Sequence, residues 1–525
     1  MLAVVPSATL HGLDGRLIRV EVDVAPGLPG FTIVGLADTA VQEARERVRG
    51  AIRNAGFVFP PRRITVNLAP AELRKTGASL DLAMAIGILL GSEQVRADRA
   101  AVALIGELGL GGEVRPVPGI LPMVAAIARQ RVRRVVVAAS AVDEARLVDG
   151  VEVVGVATLA EASVAVRGRR SRRALVAMPR VTISDPGPGA EAAPGHGGAA
   201  VAGLTFPDLA EVRGQLEARR ALEIALAGGH GMLMIGPPGV GKTLLARTIP
   251  GLLPPLDDAA ALSVSIVASA AGEGPVRELH RSPPFRAPHH TLSYAAMVGG
   301  GPNITPGEIT RADLGVLFLD ELAEFDRNVL EALRQPLEEG RVVIARVGRS
   351  MTFPSRFQLI AAMNPCPCGF AGSLPEGRCR CTPGDVERYG RRVSGPLRDR
   401  IDLWVTMPRM SANAIVAARD PEGSATVGAR VEAARARAVL DRGGLNGRLR
   451  GRALRRACRL SPSTAARVVA LAEDELASGR GTERLLRVAR TIADLDGSMS
   501  VETVHLDEAA WYRSPATRAA EALAS

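Results

Sequence analysis

Aromatic residues are scarce in this chain: they make up 3% of its 525 residues, against 47% hydrophobic residues in all. Its hydrophobic cores must therefore consist mainly of alanine, valine and leucine. No run of about 18 uncharged apolar residues occurs, which argues against a membrane-spanning helix. Residues 1–6 lack a basic region followed by a long apolar core, so we predict no secretory signal and a cytoplasmic location.

Cysteine is also rare, but four of the five cysteines fall close together, as Cys366-Pro367-Cys368 and Cys379-Arg380-Cys381. Disulfides are uncommon in cytosolic proteins, so a metal site is the natural chemical interpretation. Four thiolates could bind Zn²⁺ tetrahedrally and order the glycine-rich loop between them. Free thiols and then disulfides are the alternatives, because a single intervening residue strains the ligand geometry. The fifth cysteine, Cys458, is expected to pack in a helix.

Acidic residues do not balance the basic ones, since 55 Asp and Glu face 65 Lys and Arg and leave a net charge of +10 at pH 7. Such an excess favours a polyanionic partner, with nucleic acid the leading candidate. A proteome biased toward alanine, glycine and arginine would produce the same excess without such a partner. The charge alone leaves both explanations open.

One segment carries a specific pattern: Gly236-Pro237-Pro238-Gly239-Val240-Gly241-Lys242-Thr243 matches G-x-x-x-x-G-K-[ST] at every fixed position. It follows a predicted apolar strand, 232–235, and leads into a helix. Its glycines let backbone N–H groups approach phosphates, and the helix adds the positive end of its dipole. Lys242 is expected to reach the β- and γ-phosphates, and the Thr243 hydroxyl to bind Mg²⁺.

A second apolar run, 316–319, ends in two acids, Asp320 and Glu321. Asp320 would hold Mg²⁺ at the tip of a neighbouring strand, and Glu321 would orient or deprotonate the attacking water. The two segments in this order predict ATP binding with magnesium, and hydrolysis. The alternative, a chance glycine-rich turn, does not account for the strand and acid pair that follow.

The N-terminal part, residues 1–166, is predicted to be an α/β domain. Apolar and charged residues alternate over 18–24, and 64–68 repeats this pattern of a half-buried strand. An apolar helix is predicted over 80–90 and another strand over 135–137.

The composition then changes. An arginine cluster and a stretch rich in glycine, proline and alanine predict an interdomain linker over 167–200, and a solvated linker is favoured over a DNA clamp. The P-loop NTPase core is assigned to 201–410. Alanine, leucine and arginine at helical spacing predict a helical domain over 411–525.

Further segments resemble parts of AAA+ machines. The apolar run 357–363 ends in Asn364, which looks like the sensor-1 residue beside the water nucleophile. The segment 394–403 resembles the one in which related motors carry an arginine finger. By that match Arg400 would reach the γ-phosphate bound in a neighbouring subunit and stabilise the charge of phosphoryl transfer. Arg398 is a competitor, and a surface or helix-capping role is the alternative for both.

The segment 480–495 resembles the sensor-2 helix of magnesium-chelatase-type AAA+ proteins. Arg480 matches the sensor-2 arginine, with Arg487 as second candidate. Such a cation would couple the nucleotide state to movement of a helical lid. The alternative is an exposed helix face rich in arginine.

Together with 284–291 and 307–312, these segments resemble the magnesium-chelatase-like family of bacterial AAA+ proteins known as ComM or YifB, over nearly the whole chain except the linker. The resemblance implies an AAA+ core, a C-terminal helical lid and a homo-oligomeric ring, expected to be a hexamer, acting on DNA. The better understood ComM members are helicases that promote branch migration during natural transformation. Branched or single-stranded DNA is thus the expected partner, and no membrane is involved.

Two other functions compete with this one. Magnesium-chelatase motors share the core but remodel a metal-inserting partner without DNA; the long N-terminal domain argues against that assignment. A scaffold that uses ATP only to assemble would not need Glu321, Asn364 and Arg400 together.

The N-terminal domain resembles the proteolytic domain of Lon, and its relative in the recombination motor RadA, at 28–31, 67–70 and 106–114. Lon pairs a serine nucleophile with a lysine base. Ser79 lies about where that serine would be, but Leu121 occupies the lysine position. A serine without a base stays weakly nucleophilic. The resemblance therefore implies a Lon-like fold used for assembly or DNA contact, without peptidase activity.

His289 and His290 are adjacent in the sequence and would point to opposite faces of an extended strand, so they make a poor metal pair. The segment that follows, through the glycines at 299–301, predicts a loop inserted in the core. It either faces a central pore and grips DNA or forms a structural turn held by Pro288 and the glycines.

Overall fold

The computed structural model describes residues 1–36, 39–73, 75, 77–97, 102–167, 206–301, 304–346, 349–372, 378–410, 421–475 and 479–512. These residues form two compact units. Unit 1 draws on Met1–Gly197, Ala261–His280 and Gly301–Pro306, and unit 2 on Gly198–Ala260, Arg281–Gly300 and Gly307–Ser525. The predicted linker lies outside the described residues from 168 onward. Every described helix is too short or too polar to cross a lipid bilayer.

Unit 1 is an α/β structure with a four-stranded and a three-stranded sheet. The four-stranded sheet has the order β1-β2-β4-β3 and is antiparallel except for the β3–β4 pair, and β5-β8-β9 form a parallel sheet. Its elements are β1 (Leu2–His11), β2 (Asp14–Ala25), β3 (Gly30–Val34), α1 (Thr39–Asn54), β4 (Arg63–Ala69), α2 (Asp81–Gly91), β5 (Val102–Leu104), β6 (Glu107–Leu108), β7 (Val114–Arg115), α3 (Ile120–Arg129), β8 (Arg134–Ala138), α4 (Val142–Ala145), β9 (Glu152–Val156) and α5 (Leu159–Ala165).

The strand predictions for this unit are confirmed by burial. In β2 the side chains of Ile18, Val20 and Val22 are fully buried, while Arg19 and Asp23 between them are exposed. This period of two is that of a strand with one face on a core. The predicted apolar helix is α2, which is buried on nearly all sides and packs against β1 and β2.

A segment from the middle of the chain, Ala261–His280, belongs to unit 1 although the sequence analysis places it in the core 201–410. Ser269 Oγ donates a 2.5 Å hydrogen bond to Glu144 Oε1, which also accepts the Leu121 N–H at 3.1 Å. The Gly119 N–H donates to the Ser269 carbonyl at 2.9 Å. These buried polar contacts tie the segment to α3 and α4.

Unit 2 combines a parallel sheet with a set of helices. Its five strands have the order β11-β14-β17-β10-β18, and every neighbouring pair is parallel. From residue 216 onward the elements of the chain are α6 (Leu216–Gly228), β10 (Met232–Ile235), α7 (Lys242–Arg247), α8 (Asp258–Ala271), β11 (Phe285–Arg286), α9 (Tyr294–Val298), β12 (Gly299–Gly300), β13 (Thr305–Pro306), α10 (Glu308–Arg311), β14 (Val316–Leu319), α11 (Arg327–Ala332), α12 (Arg334–Glu339), β15 (Arg341–Arg346), β16 (Arg349–Pro354), β17 (Gln358–Met363), α13 (Pro383–Gly390), α14 (Gly395–Arg398), β18 (Leu403–Thr406), α15 (Ser424–Arg442), α16 (Gly451–Cys458), α17 (Pro462–Glu475), α18 (Gly479–Leu495) and α19 (Thr503–Trp511).

The strand register brings three loops to one edge of this sheet. Ile235 pairs with Met363, and Leu319 pairs with Ala361. Because β10, β14 and β17 are parallel neighbours, the loops that follow them leave the sheet on the same side. The P-loop, the pair of acids Asp320 and Glu321, and Asn364 therefore lie together at this edge of the sheet.

The described residues after 421 contain helices and loops but no strand, as predicted. Buried apolar side chains of α18, such as Leu485, Val488 and Ile492, share one hydrophobic core with those of α6 and β10. The helical region is thus packed onto the sheet through α6.

Candidate ATPase site

The P-loop has the backbone geometry that its glycines make possible. Gly239 and Gly241 have φ angles of +78° and +94°, a left-handed conformation that glycine adopts without strain. At Gly236 a Cβ would lie 2.4 Å from the Met407 carbonyl oxygen. Each glycine of the motif is therefore required by local structure.

Lys242 points into the middle of this loop. Its Nζ donates to the carbonyl oxygens of Gly236 at 2.6 Å and Pro237 at 2.9 Å, and to Asn364 Oδ1 at 3.2 Å. Burial lowers the pKa of Lys242, and the negative charges of Asp320 and Glu321 oppose that shift. The predicted phosphate-binding lysine and the predicted sensor residue are thus in direct contact.

The two predicted magnesium ligands also meet. Thr243 Oγ1 donates to Asp320 Oδ2 at 2.6 Å. Mg²⁺ binds oxygen ligands octahedrally at about 2.0–2.1 Å, which puts neighbouring ligand oxygens about 2.9 Å apart. A hydroxyl and a carboxylate at this separation fit such an ion after a shift of a few tenths of an ångström.

Glu321 has an unusual backbone conformation, with φ at +52°. A non-glycine residue in the left-handed region costs about 1–3 kcal/mol, and such residues cluster at functional sites. Its N–H donates to Asp320 Oδ1 at 2.9 Å, and its half-exposed carboxylate lies 3.1 Å from His290 Nδ1. The turn after β14 therefore holds both acids in fixed positions.

A cavity of about 240 Å³ opens beside these acids. The rings of His289 and His290 lie with their centroids 4.2 Å apart, and the His290 ring also contacts Phe325 edge-on. The cavity is lined by Thr243, Arg247, Phe285, Ala287, Pro288, His289, His290, Phe318, Asp320 and Glu321.

The sequence analysis missed the role of His290 in this site. The sequence is compatible with a pore loop or a structural turn at this segment and does not indicate a contact with Glu321. The available clue was that the histidines follow β11, which lies beside β14 in the sheet. The position of the histidines after β11 predicts a contact with Glu321 only when the order of the strands in the sheet is known.

Arg400 lies elsewhere. Its Nη2 donates to Glu338 Oε2 at 2.5 Å and its Nη1 to the Pro396 carbonyl at 2.7 Å. It lines a second cavity, of about 360 Å³, whose described lining includes no residue of the P-loop. The competing Arg398 is exposed and lies over the Trp404 ring, 5.4 Å from its centroid.

Of the two sensor-2 candidates, Arg480 and Arg487, the structure describes only the side chain of Arg487. The side chain of Arg480 lies outside the described residues. Arg487 donates from Nη2 to Asp402 Oδ1 at 2.9 Å, and Asp402 Oδ2 lies 2.9 Å from His230 Nδ1. Burial disfavours the charged form of Asp402, but Arg487 and His230 outweigh it and lower its pKa to about 2. Arg487 is thus held in a buried ion pair that joins α18 to the start of β18.

The four clustered cysteines come together, with all their sulfur atoms within 4.8 Å of one another. All five cysteines are free thiols, and Cys458 is buried in α16 as predicted. In unit 1, Ser79 Oγ donates to the Ala8 carbonyl at 3.1 Å, and the Leu121 side chain is fully buried.

Comparison with known proteins places the whole chain among relatives of one kind. Models of "Magnesium chelatase, subunit ChlI", "Subunit ChlI of Mg-chelatase" and "Magnesium chelatase, subunit ChlI C-terminal" match residues 208–415, 20–141 and 421–513. The chain is 41% identical to the uncharacterized protein YifB of Escherichia coli (strain K12), over 98% of this chain and 97% of that protein.

Two further relatives are informative. Competence protein ComM of Haemophilus influenzae is 39% identical, over 98% of this chain and 97% of the relative. The magnesium-chelatase 38 kDa subunit of Cereibacter sphaeroides is 28% identical, over 57% of this chain and 88% of that subunit.

Proposed function

Because this chain belongs to the magnesium-chelatase-like ComM/YifB family of AAA+ type, we propose that it is an ATP-hydrolysing ring motor that acts on DNA, as a branch-migration helicase. The ATPase part of the proposal rests on two contacts at the edge of the parallel sheet. There Lys242 contacts Asn364, and Thr243 contacts Asp320. These are the groups that bind phosphates, sense the nucleotide and hold magnesium in phosphoryl transfer.

In this mechanism the P-loop N–H groups and Lys242 bind the phosphates of ATP. Thr243 and Asp320 would hold Mg²⁺, which when bound would neutralise charge on the phosphate oxygens. Glu321 orients the attacking water and accepts its proton. Asn364 fixes the Lys242 ammonium on one side of the site, and His290 fixes the Glu321 carboxylate on the other.

Arg400 acts on the nucleotide of a neighbouring subunit in a homo-oligomeric ring, which we propose is a hexamer. Two observations support a role in trans: its cavity contains no described P-loop residue, and Glu338, which holds its guanidinium, has a half-exposed side chain. The ion pair holds the guanidinium until the neighbouring phosphate competes for it. Arg487 and Asp402 link this segment to the lid, since Asp402 follows Arg400 by two residues.

DNA contact is supported by a surface on the lid, which we call the α16 arginine surface. It consists of exposed arginines on or beside α16 that have no acidic partner among the described residues: Arg450, Arg452, Arg455, Arg456 and Arg459. Unpaired arginines of this kind suit phosphate contacts, which require no sequence readout and weaken steeply with salt. The name of the relative ComM, a competence protein, agrees with this partner.

The proposal is tested by measuring ATP turnover with and without a four-way DNA junction, at low and moderate salt. Lys242→Ala serves as the control that removes nucleotide binding. Strong stimulation by the junction, reduced at higher salt, is the expected result. Robust turnover that no DNA changes would contradict the DNA part.

That second outcome would favour another function, a protein-remodelling ATPase of the magnesium-chelatase type. The observation in its favour is the similarity to the 38 kDa chelatase subunit, which covers more than half of this chain. Turnover stimulated by a protein partner instead of DNA would establish it.

A further inference from the structure

The loop after β17 carries a feature that ATP hydrolysis does not require. Cys366 and Cys368 follow Asn364 immediately, and Cys379 and Cys381 precede α13. Cys366 Sγ lies 3.4 Å from Cys368 Sγ and 3.7 Å from Cys379 Sγ. The sulfur atoms of Cys368 and Cys379 are 3.6 Å apart. This is the only such group of metal-binding side chains among the described residues.

These separations match a single tetrahedral metal ion. A Zn–S bond is about 2.3 Å long, so two sulfur ligands at tetrahedral corners are about 3.8 Å apart. The three separations in the structure fall within a few tenths of an ångström of this value. A disulfide, with sulfur atoms about 2.05 Å apart, would remove two of the four ligands. Cys381 Sγ lies within 4.8 Å of the other three sulfur atoms and supplies the fourth ligand.

Backbone N–H groups donate to at least two of the four sulfur atoms. The Ala371 N–H donates to Cys366 Sγ at 3.2 Å, and the Phe370 and Arg380 N–H groups donate to Cys368 Sγ. A Zn²⁺ ion with four thiolates carries a net charge of −2, and N–H donors of this kind stabilise it.

We propose that Cys366, Cys368, Cys379 and Cys381 bind one Zn²⁺ ion, and that this closed four-cysteine site is structural. Four protein ligands leave no open position for substrate, which is the arrangement of structural zinc sites. The binding energy of the metal would stabilise the segment 366–372, which contains Gly369 and Gly372.

We infer that the zinc site also stabilises the P-loop. This inference rests on the proposed ATPase function. Gly369, between the cysteine pairs, has φ at +83°, and a Cβ there would lie 2.7 Å from Pro238 Cδ and 3.9 Å from Asn364 Cγ. The metal-bound loop therefore packs against the P-loop itself. By fixing this loop, zinc keeps Asn364 in contact with Lys242.

Metal content tests the site directly. The wild-type protein, purified without a metal-binding tag from cells grown with added zinc, is expected to contain about one zinc per chain by elemental analysis. Cys458→Ser, which alters the buried lone cysteine, is expected to retain that zinc. The double variant Cys379→Ser/Cys381→Ser is expected to fall below about a tenth of an equivalent.

A second measurement keeps the test independent of variant folding. Titration of the native wild-type protein with a mercurial thiol reagent, followed by a zinc-sensitive dye, should release zinc in proportion to the modification of four thiols. Wild-type protein with under a tenth of an equivalent of zinc and four freely reactive thiols would overturn the site. Stoichiometric iron in place of zinc would overturn it too.

The link to the P-loop is tested separately by Gly369→Ala, which keeps all four cysteines. We expect normal zinc content and at least tenfold weaker ATP binding, because the new methyl group displaces Pro238. Normal zinc with unchanged ATP binding would refute the coupling. If the wild-type protein binds no ATP at all, the proposed function fails, whereas the zinc measurements still decide the site.

Discussion

His290 Nδ1 lies 3.1 Å from Glu321 Oε2, although the two residues belong to loops after different strands of the parallel sheet. The imidazole contacts both the His289 ring and Phe325, so it can fix the direction of the carboxylate. The contact joins a residue without a predicted catalytic role to the acid that we propose activates water.

We predict that His290→Ala lowers ATP turnover by about 10- to 100-fold and leaves ATP affinity unchanged, because a misdirected base mainly affects the transition state. His290→Asn, whose amide N–H₂ can replace Nδ1, should restore part of the rate. Steady-state turnover and binding of a fluorescent ATP analogue measure the two effects.

The neighbouring His289→Ala is the matched control, since His289 makes its hydrogen bond to Thr291 and not to Glu321. We expect at most a small change in turnover for this variant. Equal losses in the His289 and His290 variants would mean that the pair has only a packing role.

Glu321→Gln and Arg400→Ala test the division of the active site between subunits. Each variant alone should slow hydrolysis while ATP still binds. The expected loss is at least about 100-fold for Glu321→Gln and about 1,000-fold or more for Arg400→Ala. Mixing the two proteins should restore part of the turnover, because the intact base of one subunit then meets the intact arginine of its neighbour. Turnover of the mixture at various ratios measures this.

Arg398→Ala provides the control, because Arg398 lies against the Trp404 ring. It should change stability more than hydrolysis. If the mixture of Glu321→Gln and Arg400→Ala shows no gain over the separate proteins, Arg400 does not act in trans.

Asp402 should make stability dependent on pH. Its pKa in the folded protein is about 2, below the ordinary value of 3.8, so the native state favours its ionised form. The contribution of Asp402 to the free energy of unfolding is therefore fully present above about pH 4 and is lost as the pH falls toward 2. We expect Asp402→Asn to lower the free energy of unfolding by about 3–5 kcal/mol at pH 7, because it leaves the buried Arg487 unpaired.

Urea unfolding of both proteins at several pH values measures this difference. It should shrink as the pH falls below 4. Asp399→Asn, at an exposed position three residues earlier, is the control and should behave like the wild type. A destabilisation that is the same at pH 3 and pH 7 would show that the carboxylate charge is not responsible.

These cases show what the sequence could and could not predict. Local patterns were sufficient for β2, with its alternating burial, and for the P-loop, whose residue spacing determines its chemistry. Lys242 and Asn364 each belong to a motif recognisable in the sequence, but their contact depends on the parallel pairing of β10 with β17.

Contacts that depend on tertiary structure had no local pattern. Ser269 lies in an apolar helix, and nothing in its neighbourhood predicts that Glu144, 125 residues away, would accept its hydrogen bond. In the sequence, a helical arginine such as Arg487 looks the same whether it faces a phosphate or a buried carboxylate. Its partner Asp402 is 85 residues distant.

The α16 arginine surface leads to the last prediction. We expect the triple variant Arg452→Glu/Arg455→Glu/Arg456→Glu to weaken binding to a four-way junction by at least tenfold at moderate salt. The slope of log K against log salt concentration should fall by about 3, one unit for each lost phosphate contact. Fluorescence anisotropy at several salt concentrations measures both quantities, and basal ATP turnover without DNA should not change.

A control with the same change in net charge separates a local surface from a general attraction. Arg16, Arg115 and Arg391 are exposed arginines that already have acidic partners, so their replacement by glutamate removes no free cation. If DNA binding depends on the α16 arginine surface, this control should lose much less affinity than the first variant. Equal losses would show that the chain attracts DNA only through its total charge of +10, and would assign the DNA contact to no particular surface.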